Sequence, residues 1–98
     1  MIVRIVKMHF RSDAIEAFQS LFEEHKVLIR KQTGCELLEL YQDKHDPAAF
    51  CTYSYWKDEE SLNNYRHSAL FSEVWPATKA LFDQKPEATS FTKIHSLL

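Results

Sequence analysis

Five histidines, two cysteines, four tyrosines and two tryptophans are the residues of this 98-residue chain that could transfer protons, attack, ligate or stack. His9, His25, His45, His67 and His95 lie in separate stretches, and no pair of His or Cys stands at metal-ligand spacing. The chain also has no glycine-rich phosphate loop and no nucleophile elbow. No metal site is therefore expected. His25 breaks a pattern: it occupies one place in the stripe Ile15, Phe18, Phe22, His25, Ile29, whose spacings of three and four mark one face of a helix. That position predicts an imidazole facing the sheet, where it would titrate in a range useful to a general base. The plainer alternative is a core histidine bonded to a backbone carbonyl. Trp56 and Trp75 read as walls of a pocket, with simple core packing the alternative for Trp75 beside Pro76. The acidic run Asp58-Glu59-Glu60 reads as capping and first-turn charge at a helix start.

The elements that must position these groups follow from periodicity. Ile2–Phe10 is strand-like and stops at Arg11-Ser12-Asp13, where Ser12 or Asp13 is expected to cap the helix carrying His25. Leu21 and Leu28 widen that helix's apolar stripe, and Thr33-Gly34, with the only glycine, closes it. Strands are expected from Cys35 to about Asp43 and from Phe50 to Trp56, joined by the polar loop His45–Ala49. Asp58 opens a second helical stretch that Pro76 is expected to split or kink and Lys85-Pro86 to close. Glu87–Leu97 completes a single domain over residues 1–98: βαββαβ, a ferredoxin-like α+β fold with both helices on one face of a four-stranded antiparallel sheet.

A net charge of −2 provides no footprint for nucleic acid, and no apolar run approaches the ~20 residues that span a bilayer. A cytoplasmic chain is expected, with Cys35 and Cys51 as free thiols. The strands do not alternate cleanly. Ile2, Val6 and Met8 oppose Val3 and Ile5; Leu38 and Leu40 oppose Cys35, Leu37 and Tyr41; Phe50 and Trp56 oppose Tyr53 and Tyr55. Two helices cover one side only, so a homodimer burying sheet against sheet is expected, with Thr52, Ser54 and Thr92 softening one side or lining a cavity.

From Glu39 to Phe71 a strand ending Leu-Tyr-x-Asp, a turn Asp46-Pro-x-x-Phe50, a strand closing in Trp56 and a helix with x-Asp-Glu-Glu-x-Leu and Ser68-x-x-Phe71 follow in order. This arrangement resembles the antibiotic biosynthesis monooxygenase family, as does the Gly34-Cys35 junction. The resemblance implies a dimeric α+β barrel with a pocket between sheet and helices in each subunit. It also implies oxygenation of a small aromatic or quinol-like substrate by molecular oxygen without a bound cofactor. Many members resembling quinol monooxygenases carry a histidine nine residues after the strand-ending tryptophan, where this chain has Tyr65. His67 points to the other side of the helix and does not inherit that role. Haem-degrading members place a ligand histidine where this chain has Trp75, which disfavours haem. The expected site is His25 and Tyr65 as polar catalytic groups, with Trp56, Trp75, Thr52 and Phe22 around the substrate. A non-redox isomerase of the same fold and a non-catalytic module that binds small apolar molecules are the rival readings.

Overall fold

The computed structural model describes all 98 residues. In chain order it contains β1 (Ile2–His9), α1 (Ile15–Arg30), β2 (Cys35–Gln42), β3 (Ala49–Trp56), α2 (Glu59–Arg66), α3 (Ala69–Lys79) and β4 (Glu87–Thr92). The strands form one sheet in the order β2-β3-β1-β4, and every pairing is antiparallel. This is the expected ferredoxin-like arrangement, with the second helical region in two pieces. No helix is long and apolar enough to cross a membrane, and Cys35 and Cys51 are both free.

Register assigns the faces. Opposed residues share a face, so Arg4, Val6 and Met8 lie with Thr52, Ser54 and Phe50 on the helix side, together with Leu38, Leu40, Ala88 and Ser90. Val3, Ile5, Tyr53, Tyr55, Leu37, Tyr41 and Phe91 share the other. Cys35 departs from the simple alternation: a bulge between Cys35 and Leu37 pairs Cys35 with Trp56, moving its thiol to the helix side.

Two apolar clusters hold the layers together. Met8, Phe10, Phe18 and Phe50 form one, with Phe22, Leu81 and Phe82 packed against it; Cys35, Trp56 and Leu62 form the other, with Ile2 and Tyr65. Phe10 and Trp56 are fully enclosed.

Several boundaries differ from those the sequence suggests. The N-cap of α1 is Ala14, buried and without a side-chain cap; the preceding turn closes through its own N–H to the Arg11 carbonyl, and Asp13 instead pairs with Arg11. Leu28 is solvent-exposed, outside the stripe. Asp58 caps α2 as expected, its carboxylate accepting from the Ser61 N–H. The break between the helical pieces falls at Ser68, not Pro76. The Ser68 hydroxyl accepts from the Phe71 N–H and donates to the Tyr65 carbonyl, ending one helix and starting the next, while Pro76 sits inside α3. The last helix stops at Lys79, well before Lys85-Pro86, because Leu81 and Phe82 turn back to the sheet: Arg11 N–H bonds the Leu81 carbonyl, and Phe10 bridges Phe82. β4 ends at Thr92 and is exposed along its whole length.

Candidate active site

Between the two apolar clusters, and lined by members of both, lies a cavity of about 330 Å³, at the small end of the range of small-molecule sites. The helix side of β1, β3 and β4 makes its floor, with Arg4, Val6, Thr52, Ser54 and Ala88; Phe18 and Phe22 of α1, Tyr65 and Arg66 of α2, and Phe71, Val74, Trp75 and Thr78 of α3 enclose it. β4 is an exposed edge, so the floor runs out to solvent at Ala88.

Aromatic rings are arranged in sequence around this space. Trp56 stacks on Tyr65 with centroids 5.1 Å apart, Tyr65 meets Phe71 edge-on at 5.2 Å, and Phe71 stacks on Trp75 at 5.9 Å. The i, i+4 spacing of Phe71 and Trp75 puts both on one face of α3, and Ser68 fixes the angle at which that helix departs from α2. The Trp56 indole N–H donates to the Ser54 hydroxyl at 3.0 Å, which satisfies both buried groups.

Of the expected site residues, Tyr65, Trp56, Trp75, Thr52 and Phe22 all line the cavity. His25 does not. α1 packs on α3 as well as on the sheet, and His25 stands on the side of the stripe that faces α3. Its Nδ1–H donates to the Leu21 carbonyl at 2.9 Å, leaving Nε2 3.7 Å from the Glu73 carboxylate. The expectation that His25 faces the sheet is therefore corrected: it is a buried histidine bonded to the backbone of its own helix.

Tyr65 has the opposite character. No group of the chain bonds its hydroxyl, and burial pushes its pKa up to about 12. At neutral pH it is thus a fixed hydrogen-bond donor and a poor base. Ser54, expected among the polar positions that soften one side of the sheet or line a cavity, also lines it, whereas Arg4 and Arg66 were missed in the sequence. Arg4 could have been found, because it shares the parity of Val6 and Met8 and so had to point a guanidinium to the helix side. No carboxylate, imidazole or lysine lines the cavity. Nor do three His, Cys, Asp or Glu side chains converge anywhere as a metal site.

Residues 1–75 match the family model described as antibiotic biosynthesis monooxygenase. A crystal structure of an antibiotic biosynthesis monooxygenase superposes with a TM-score of 0.91 at 21% identity, over 97% of this chain and 100% of that one. A conserved protein from Methanosarcina mazei Go1 gives 0.89 at 25% identity, over 96% and 94%. A variant of SnoaB, a cofactor-independent oxygenase from Streptomyces nogalater, gives 0.88 at 18% identity, over 98% and 95%. No curated protein sequence matches the chain.

Proposed function

This chain belongs to the antibiotic biosynthesis monooxygenase family, and from that membership together with the cavity we propose that it oxygenates a small aromatic, quinol-like substrate with molecular oxygen and no bound cofactor. The observation that carries the reading is the cavity walled by Trp56, Tyr65, Phe71 and Trp75 and open to solvent along its β4 edge. Flat rings fit between flat rings, and an apolar wall surrounds the electron-rich anion that oxygen attacks. That anion enters already ionised, its proton left to solution, because no carboxylate, imidazole or lysine lines the cavity to take it. In the oxidation of a ring CH2 to a carbonyl, one oxygen atom enters the substrate and the other leaves as water with the two displaced hydrogens. Tyr65 supplies a hydrogen bond to the substrate oxygen on which negative charge develops. The oxygenase SnoaB shares the fold, which supports a cofactor-free route.

A base-catalysed isomerase has less support, since neither carboxylate nor imidazole lines the cavity. The working unit is a homodimer through the outer face of the sheet, in a compartment that keeps Cys35 and Cys51 reduced, such as the cytoplasm.

The test is oxygen uptake by metal-free, flavin-free protein across a panel of hydroquinones and anthrones. At least one is expected to be turned over, with the Tyr65→Phe variant slower by about tenfold, the loss of one hydrogen bond of about 1.4 kcal/mol in the transition state. Saturable ligand binding without uptake of oxygen would instead make the chain a binding module.

A further inference from the structure

Arg4 and Arg66 are the only charged residues lining the cavity, and both are positive. Neither has a carboxylate partner: the ion pairs of the molecule involve His9, Arg11, His25 and Lys26. Arg4 rises from the middle of β1 between Ser54 of β3 and Ser90 of β4. One of its terminal nitrogens donates to the Ser90 hydroxyl at 2.9 Å, which fixes the side chain and leaves other N–H donors of the guanidinium uncommitted. Arg66 approaches from the opposite layer, at the last turn of α2, and is solvent-exposed while still forming part of the wall. It donates no hydrogen bond to the carbonyls of its own helix end, so capping does not account for its direction. The two are close enough that, after burial, repulsion by Arg66 is the second cause holding the Arg4 pKa down. Two like charges beside an apolar cavity are unfavourable alone and become favourable when an anion lies between them.

We propose that the ligand of this cavity carries a carboxylate on its apolar, aromatic body, and that Arg4 and Arg66 bind that carboxylate from the floor and the wall while the aromatic rings hold the rest. The inference rests on the proposed function for the aromatic body of the ligand, and adds the acidic group. A guanidinium presents a planar fork that matches a carboxylate's two oxygens, and burial along an apolar cavity strengthens that pairing. Thr52 and Ser54, beside Arg4 on the floor, supply neutral hydrogen-bonding groups only and do not compete for the charge.

The experiment is calorimetric titration under nitrogen with a matched pair of probes, 1-naphthoate and 1-naphthamide, against the wild-type chain and against Arg4→Gln, Arg4→Lys and Arg66→Gln. The wild type is expected to bind the carboxylate at least tenfold more tightly than the amide. Each Gln variant is expected to lose most of that preference while its affinity for the amide changes less than about threefold, which also shows that the cavity is intact. Arg4→Lys should retain part of the preference, because the charge remains and the fork is lost. Arg66→Gln alters an exposed side chain and keeps the test open if Arg4→Gln fails to fold. Equal affinity for the two probes, absence of saturable carboxylate binding, or a preference that survives both Gln variants would overturn the proposal. Oxygen uptake decides the other question separately: carboxylate selectivity without turnover leaves this inference standing and removes the oxygenase, whereas rapid oxidation of neutral quinols, indifferent to both arginines, does the reverse.

Discussion

His9 is gripped at both ring nitrogens. Nδ1 lies 2.6 Å from the Asp83 carboxylate and Nε2 2.9 Å from that of Asp46, joining the end of β1 to the β2–β3 turn and to the segment after α3. Carboxylates only accept, so both nitrogens must carry protons, and the hydrogen bonds to Asp83 and then Asp46 raise the His9 pKa above its ordinary 6.5. Asp46 is shifted the other way, held low first by the Ala48 N–H and then by His9. The stabilisation from His9 is therefore complete below about pH 6.5, where the unfolded chain is also protonated, and is lost as pH rises through the elevated folded value. Denaturation midpoints of wild type and His9→Gln should differ most near pH 6 and converge toward pH 9; a constant gap would show that the charge contributes nothing. The sequence placed His9 on a strand but could not supply this partnership, since Asp46 and Asp83 are 37 and 74 residues away. The same limit hid the direction of His25: periodicity identified its stripe but not which edge of the stripe meets α3. Thr52 and Trp56 were legible from strand parity and Phe22 from helical spacing, whereas Tyr65 and Trp75 were singled out by the positions that the family resemblance marks.

At the scale of elements, the strand count, their order along the chain and the Asp58 cap could be read directly, since each depends on neighbours within a few residues. What failed was competition between two local signals. Pro76 looked like the breaker because proline removes a donor; Ser68, which offers both a cap and an acceptor-seeking hydroxyl, is where the helix actually divides. The Cys35 bulge was similarly invisible, as alternation carries no sign of an extra residue. Gly34 was legible and is more constrained than its role at a helix end requires. Its φ is +85°, and a Cβ there would lie 2.3 Å from the Ser61 Cβ and 2.2 Å from its hydroxyl, while its carbonyl accepts the Lys57 N–H at 2.7 Å. Gly34→Ala is expected to cost about 1–2 kcal/mol for the left-handed backbone alone, with the collision with α2 adding to it. The double variant Gly34→Ala/Ser61→Gly should recover the collision and keep the backbone cost. Urea denaturation of the three proteins separates these contributions, and a double variant no more stable than Gly34→Ala would show that contact with Ser61 is irrelevant.

At the scale of the whole molecule, the helices leave one broad surface without cover. The outer face of the sheet carries Ile5, Leu37, Tyr41, Tyr53, Tyr55 and Phe91, with Tyr41 and Phe91 each half exposed. The register also places Lys7 and Glu87 at one end of this face and Glu39 beside the tyrosines. The polar groups at its centre contact the aromatics: the Tyr41 hydroxyl donates to Glu39, the Tyr53 and Tyr55 hydroxyls are 3.3 Å apart, and the Lys93 ammonium lies 3.9 Å above the Tyr55 ring. An aromatic surface of this kind, with a few hydroxyls at its centre, suits a twofold interface in which the same patch meets itself. The proposed homodimer would sediment at twice the 11.6 kDa chain mass. Phe91→Glu tests it with little effect on the protomer, because the ring is half exposed and sits on the exposed edge strand β4. Across a twofold axis the variant sets two carboxylates into a desolvated contact, a repulsion that like charges do not recover. Sedimentation velocity at micromolar concentration should show a dimer for the wild type and a folded monomer for Phe91→Glu. A monomeric wild type would mean that the outer face meets water, or another protein, and that each cavity is complete within one chain.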